Sequence, residues 1–418
     1  MSATETYQFV LLTTSVSSGG AAIACMRQAG ALREAGHKVV VLSPESWAGI
    51  SPGSRLDFWF RNLLKHFIYR WNQTFKLSAG AMFSANPWPP RRKGWMEHRA
   101  LKEADAVILH WVNHGFMGAA ELDFLKGLGK PVLWHMHDMW AFTGGCHYSG
   151  NCRRYLHGCG SCPLLLHQGP NDESRQHWEA RYRWFAALGK GLALVAPSPW
   201  LASLAAEAVK KFDVRVACIP NPFDPFRDGH GLTPRLEPAS PVAGNRLLFA
   251  AVNTSDPRKG WDLLVKALKL VDPRHSPLML KVAGKMQAPQ LRQLQDTGHA
   301  VENLGLLGGK AMQEAYREAD IFVIPSLEEN LPNTILESFA AGTPVAGFAA
   351  GGIANMVQEG VNGALAEAGN PVALADAIVR LLKAPHPERL RQEARKSLDA
   401  YRPHLVEQAY RELTKSML

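Results

Sequence analysis

Short apolar strands alternate with helices along this chain, and the alternation runs, stops and starts again. In the first half QFVLLTTS reads as a strand, SSGGAAIACMRQAGALREAG as a loop leading into a helix that stops at Gly36, and HKVVVLSP as the next strand. DAVILHWV, KPVLWHMHDMW and LALVAPS continue the series, the last with the helix PWLASLAAEAVKKF behind it, and DVRVACIPNPFD closes the half. Strand, helix, strand in short succession favours parallel pairing through crossovers, so the pattern predicts an α/β fold with a doubly wound parallel sheet. Residues 225–245 are proline-rich and aperiodic and read as a linker. The rhythm then restarts: RLLFAAVN, LMLKVAG, AVENLGLL, ADIFVIP and TPVAGFA read as strands, and GWDLLVKALKLV as a helix. A chain of 418 residues suits two domains with separate cores. The expected division is 1–224, a linker at 225–245, a second domain at 246–395, and a terminal helix at 396–418 packing back on the first domain.

Hydrophobic content of 46% and charged content of 20% describe a soluble globular protein. MSATETYQ places no positive residue before the apolar FVLLTT, and no apolar run reaches the roughly 18–20 residues of a membrane span, so a cytoplasmic location is expected. The formal net charge of +9 suits an anionic partner: nucleotide, phospholipid surface or nucleic acid. From Arg55 to Lys76, RLDFWFRNLLKHFIYRWNQTFK interleaves five Lys or Arg with aromatic residues, and WPPRRKGW follows. Such a helix suits peripheral contact with an anionic membrane, at the inner face for a cytoplasmic protein, or packs its aromatic face into its own domain. No other stretch resembles a nucleic-acid module, so nucleic acid is not an expected partner.

Four of the six cysteines crowd together: Cys146, Cys152, Cys159 and Cys162, spaced C-x5-C-x6-C-x2-C in a glycine-rich loop. Without a secretion leader, metal binding is favoured over disulfides, and four thiolates make a closed, structural zinc site. Free thiols and a disulfide are the alternatives.

The densest chemistry lies in PSLEENLPNTILESFAAG, Pro325 to Gly342. ADIFVIP before it is a buried strand; Thr334 to Ala341 reads as a helix with Gly342 at its stop and Pro332 suited to its first turn. The amides of Asn333 and Thr334 then point out of the helix end, a ready phosphate site. Glu337 lies four residues after Asn333 on the same face, while Glu329 stays in the loop above the strand's carboxyl end, where open α/β sheets hold ligands. Solvated surface charges are the alternative reading of both glutamates. Arg258, Lys259 and Gly260 open the helix GWDLLVKALKLV, and two cations at a helix N-terminus oppose its dipole unless an anion lies there. Gly19 and Gly20 occupy the first βα turn, where backbone can approach a phosphate, although GxGxxG is absent and a simple tight turn explains them equally. His110, His135 and His137 lie near strand ends; His137, followed by Asp138 and Trp140, is the strongest functional candidate of the three.

With these residues read, the chain resembles retaining glycosyltransferases of family 4, whose GT-B architecture sets two Rossmann-like domains about a central cleft. E-x7-E falls at Glu329 and Glu337, DPRKG at Asp256–Gly260 resembles the family's phosphate loop, and IPNPFD at Ile219–Asp224 the passage into its second domain. HDMWAFTGGCHYSGNC resembles a subgroup of bacterial surface-polysaccharide assembly. The resemblance implies a catalytic set of Glu329 on donor-sugar hydroxyls, Arg258 and Lys259 on the diphosphate, and His137 on the donor sugar. It implies nucleotide-sugar binding by Glu337 at the ribose, by the Asn333 and Thr334 amides, and by Gly19 and Gly20 over the phosphates. The implied reaction moves a sugar from a nucleotide-sugar donor, with retention, to a lipid-linked or polysaccharide acceptor, and no metal is required for it. Two departures stand out: Thr254 occupies the position of a common arginine, and Glu329–Asn330–Leu331–Pro332 replaces the familiar E-P-F-G. A non-catalytic nucleotide-sugar-binding protein and a zinc-containing nucleic-acid-binding protein are the competing readings.

Overall fold

The structure is a computed structural model that describes residues 5–17, 19–44, 77, 82–84, 94–113, 116–227 and 245–418. The basic aromatic stretch 55–76, most of WPPRRKGW and linker residues 228–244 lie outside the described residues.

Six strands form the first sheet: β1 (Gln8–Leu12), β2 (Lys38–Leu42), β3 (Ala106–Leu109), β4 (Val132–His135), β5 (Leu192–Ala196) and β6 (Arg215–Cys218). Their order is β2-β1-β3-β4-β5-β6, parallel throughout, with Phe9 level with both Val39 and Ala106. The second sheet holds β7 (Arg246–Asn253), β8 (Met279–Lys285), β9 (Ala300–Gly305), β10 (Ile321–Ile324), β11 (Val345–Phe348) and β12 (Gly363–Ala366). Its order is β12-β11-β10-β7-β8-β9, also parallel. The strand order reverses between β7 and β10, the kind of switch point at which dinucleotide-binding folds open their crevice. In the first sheet the reversal falls between β1 and β3.

Both sheets are covered on two faces, which is why their central strands read as unbroken apolar runs. Successive side chains of β1 go to opposite sides: Val10 and Leu12 enter one core with Trp134 and Phe185, while Phe9 and Leu11 enter the other with Ile108 and Leu133. β12 carries no strand signal in its sequence, GALA. It forms because β11 offers a free edge, and Gly363 lies so close to it that a Cβ there would stand 2.2 Å from the Val345 carbonyl oxygen. Among the described residues no helix is long and apolar enough to cross a membrane.

The chain divides into two compact units, one of Met1–Pro222 with Pro403–Leu418 and another of Phe223–Arg402. The terminal helix Pro403–Lys415 completes the first unit by packing on the helix Gly20–Glu34. Val406 and Tyr410 fill the core behind Phe9 and Leu11. Two buried polar contacts set its register. His37 accepts the Tyr7 N–H through Nδ1 (3.0 Å) and meets Glu407 Oε1 through Nε2 (2.9 Å). The Tyr410 hydroxyl lies 2.5 Å from His135 Nδ1.

Tyr410→Ala removes a fully buried ring and is expected to lower the stability of the first unit by about 3–5 kcal/mol. Tyr410→Phe keeps the ring, loses the hydroxyl and is expected to cost about 1–3 kcal/mol. Urea unfolding measures both; a phenylalanine variant as stable as the wild type would show that the hydroxyl contributes nothing.

Candidate active site

In the second unit the loop after β7 turns tightly at Asp256. Its carboxylate accepts the Arg258 backbone N–H (3.0 Å) and a guanidinium N–H of Arg258 (2.6 Å), closing the short turn Pro257–Lys259. Gly260 follows in the left-handed region, φ 69°. A Cβ there would lie 1.8 Å from the Pro325 carbonyl oxygen, so glycine is what lets the loop touch the end of β10. The Leu327 N–H then donates to the Arg258 carbonyl (2.8 Å). Arg258 and Lys259 thus stand outside the carboxyl ends of β7 and β10, at the point where the strand order reverses.

Lys259 Nζ pairs with Glu329 Oε1, and the two side chains are 30% and 11% exposed. Glu329 is held from behind as well: Gly352 N–H donates to its carbonyl (2.7 Å), and Gly351, φ 55°, passes where a Cβ would come within 2.2 Å of that oxygen. The helix Asn333–Ala341 starts just after, with Pro332, whose side chain makes no capping hydrogen bond, ahead of it. It stops at Gly342, φ 74°. Glu337 lies one turn in, beside the buried Tyr316 hydroxyl, which burial and the Glu337 charge push well above the usual tyrosine range. Glu329, Lys259, Arg258, Asn333, Thr334 and Glu337 therefore belong to one unit and one end of one sheet.

The structure amends one inference. The cations at the start of the helix Trp261–Leu270 already have anions of the chain itself, Asp256 for Arg258 and Glu329 for Lys259. Their conflict with the helix dipole is met internally, so it does not by itself require a bound anion. Thr254 is fully buried, its hydroxyl between the Lys285 carbonyl (2.7 Å) and Gln290 Oε1 (2.8 Å), and it offers no charge to the site.

His137, Gly19 and Gly20 belong to the first unit, at the carboxyl ends of β4 and β1. Gly19 caps the helix Gly20–Glu34 with φ 90°; a Cβ there would touch nothing, so backbone conformation alone calls for glycine. His110, His135 and His137 place one ring nitrogen each within 4.8 Å of the other two, the spacing of a possible metal triad. Their hydrogen bonds argue otherwise. His135 Nε2 lies 2.7 Å from Asn221 Oδ1, which only accepts, so Nε2 carries the proton and Nδ1 accepts from Tyr410. His110 Nδ1 and His137 Nε2 bond each other at 3.0 Å. Burial pushes His135 down to about 4, and burial with the neighbouring histidines holds His110 and His137 well below the usual range. This is a network of neutral imidazoles. Asn113, fully buried beyond the end of β3, has no hydrogen-bond partner for either side-chain polar atom among the described residues.

Two measurements check this geometry. Gly260→Ala forces a side chain into the Pro325 carbonyl at a left-handed position and is expected to lower the stability of the second unit by at least 1–3 kcal/mol, roughly, in urea unfolding. The histidine network sets a pH dependence. Between about pH 6.5 and pH 4 the unfolded chain takes up protons that the fold refuses, so stability falls as pH falls through that window. For His135 alone the loss approaches roughly 3 kcal/mol, from about 1.36 kcal/mol per pKa unit. A urea midpoint unchanged from pH 7 to pH 4.5 would mean the network is protonated in the fold.

Comparison with known proteins gives these residues a setting. A family model described as Glycosyltransferase Family 4 matches residues 18–227, half of the chain, and one described as "Glycosyl transferases group 1" matches residues 244–384. A phosphatidyl-myo-inositol mannosyltransferase of Mycobacterium leprae is 34% identical over 149 residues, 34% of this chain and 38% of the relative. A D-inositol 3-phosphate glycosyltransferase of Frankia alni is 33% identical over 177 residues, 39% of this chain and 43% of the relative. These matches thus span about two fifths of the curated relatives' length. A glycosyltransferase of Rickettsia africae shares the fold over 99% of this chain and 98% of its own, with a TM-score of 0.61 and 16% identity. Anabaena Alr3699/HepE in complex with UDP shares it over 98% of this chain and 100% of its own, with a TM-score of 0.57 and 16% identity. The fold is GT-B, and with half its length matched by one family model the chain belongs to Glycosyltransferase Family 4.

Proposed function

We propose that this protein transfers a sugar, with retention of anomeric configuration, from a nucleotide-sugar donor to a lipid-linked or polysaccharide acceptor. The observation that carries the reading is the Lys259–Glu329 pair, held with Arg258 at the β7–β10 reversal beside the start of the helix Asn333–Ala341. A diphosphate arriving there competes with Glu329 for the Lys259 ammonium. As it takes the cation it leaves Glu329 able to accept hydrogen bonds from donor-sugar hydroxyls. When the bond from the sugar to the nucleotide breaks, negative charge grows on the leaving phosphate. Arg258, Lys259 and the Asn333 and Thr334 amides are the preorganised groups that stabilise it. Glu337, one turn along the helix, takes the ribose hydroxyls.

His137 serves as a neutral hydrogen-bonding group to the donor sugar, consistent with its lowered pKa. Retention follows in this reading from attack on the face the nucleotide leaves, with the departing phosphate accepting the acceptor's proton. Glu329, engaged with the hydroxyls of the donor sugar, acts as a binding group rather than a nucleophile. The solved Anabaena relative holds UDP, so UDP-sugars are the first donors to try; inositol phosphates, named for the Frankia relative, belong in the acceptor panel beside lipid-linked sugars. The inner membrane face is the proposed place of action.

The test starts with thermal shift against UDP, GDP, ADP and their sugar conjugates, where a ligand at about 100 times its Kd adds roughly 2.7 kcal/mol of apparent stability. With the donor known, Lys259→Ala is expected to lower kcat by about 10²–10³. Glu337→Ala is expected to weaken nucleotide binding about tenfold or more, the loss of a charged hydrogen bond. The anomeric proton coupling of the product reports retention or inversion. If both variants keep wild-type turnover and affinity, the assigned roles are wrong. A protein that binds donor but neither hydrolyses nor transfers it would be the non-catalytic binder that Thr254 permits.

A further inference from the structure

The four crowded cysteines are absorbed by nothing in the transfer reading, yet the chain gathers them. Cys146, Cys152, Cys159 and Cys162 all line one pocket, and none is in a disulfide. The backbone that presents the last two is unusual. Gly158, Cys159, Gly160 and Ser161 follow one another at φ 114°, 53°, 89° and 44°. Two of these four have side chains, and each such residue costs about 1–2 kcal/mol in the left-handed region. The turn is pinned from outside. Gly160 N–H donates to Ser174 Oγ (3.0 Å), Ser161 N–H to the Gly169 carbonyl (2.6 Å), and Cys162 N–H to Asp172 Oδ2 (2.8 Å). Arg181, also buried, gives its hydrogen bonds to the carbonyl oxygens of Trp140 and Thr143 and lies 4.3 Å from the Trp140 ring. The Asp138 carboxylate acts on this buried guanidinium, and Cys146 and Cys159 lie within electrostatic range of it as well.

We propose that Cys146, Cys152, Cys159 and Cys162 bind one zinc ion as thiolates. Four Zn–S bonds form as four thiol protons leave to solvent, giving a tetrahedral centre of net charge −2 in the neighbourhood of Arg181. Among the described residues only the three histidines already show metal-ligand spacing, so a zinc ion here requires the four thiols to converge within the pocket they share. With all four ligands from the protein the site is structural. Its reach extends to His137. Cys146 is joined to His147, whose Nδ1 lies 2.6 Å from Asp138 Oδ2 and whose carbonyl accepts the Met139 N–H at 2.9 Å. Asp138 follows His137 and caps the turn Met139–Ala141 through the Trp140 N–H (2.8 Å). The metal loop thereby positions the segment that carries His137. This positioning role rests on the proposed transfer reaction; metal binding does not.

The full-length protein, purified under reducing conditions without chelator, is expected to hold about one zinc per chain by elemental analysis. Exchange for cobalt is expected to give the intense sulfur-to-cobalt charge-transfer bands of a tetrahedral tetrathiolate. Cys152→Ser and Cys162→Ser each lower zinc affinity by at least about tenfold, whereas Cys218→Ser, at the exposed end of β6, leaves it unchanged. Cys152→Ser also lowers kcat at unchanged nucleotide Kd, the mark of a positioning effect on the first unit alone. Reduced, folded wild-type protein that takes up neither zinc nor cobalt overturns the proposal, as does a Cys218→Ser variant that loses metal equally. If the serine variants fail to fold, the wild-type cobalt spectrum decides. A silent transfer assay with one zinc bound counts against the transfer reading and leaves the metal site standing.

Discussion

Two strands that are not neighbours in sequence, β7 and β10, lie side by side in parallel register, Leu247 level with Ile321 and Phe249 with Val323. The chain leaves each in opposite directions, so their carboxyl ends splay a loop and a helix start apart and open a crevice between them. Everything charged in the candidate site hangs on that pairing. The Asp256–Gly260 turn leaves β7, the Pro325–Pro332 loop leaves β10, and Gly260 lets the two touch without a side chain between. The Lys259–Glu329 pair then bridges elements 70 residues apart in sequence.

The two units solve electrostatics in different ways. In the second, Arg258 and Lys259 each have a carboxylate from the chain, Asp256 and Glu329 respectively. Partly exposed pairs of this kind contribute little to stability, and they can exchange partners with an incoming anion. In the first, three imidazoles are packed together where charge is too costly, and the network settles on neutral tautomers. The terminal helix, arriving from the far end of the sequence, supplies the hydroxyl that meets the unprotonated nitrogen of His135.

Much of this was legible in the residues. The strand–helix rhythm, twice run, announced two parallel sheets, because a strand buried on both faces must be apolar at every position. The site helix beginning near Pro332 and ending at Gly342 was legible because proline and glycine have few other uses there. Three features were not. GALA has no strand propensity and became β12 only because β11 had an edge to pair. Asn113 looked like any polar residue until burial left its amide without a partner among the described residues. Arg258 and Lys259 looked like cations in need of a ligand until the fold brought Asp256 and Glu329 to them.

By itself, then, the sequence determined the α/β class, the doubling of the sheet and the presence of Glu329, Glu337, Arg258 and Lys259 near element ends, since periodicity and terminal residues are local properties. Only the tertiary structure decided which charges pair, which histidine nitrogens bear protons, and which glycines are obligatory. Those depend on distances between segments tens to hundreds of residues apart, such as His135 with Tyr410 or Gly260 with Pro325, and on the loss of water around them. A sequence records which groups are available. Burial and close approach set what each one must do.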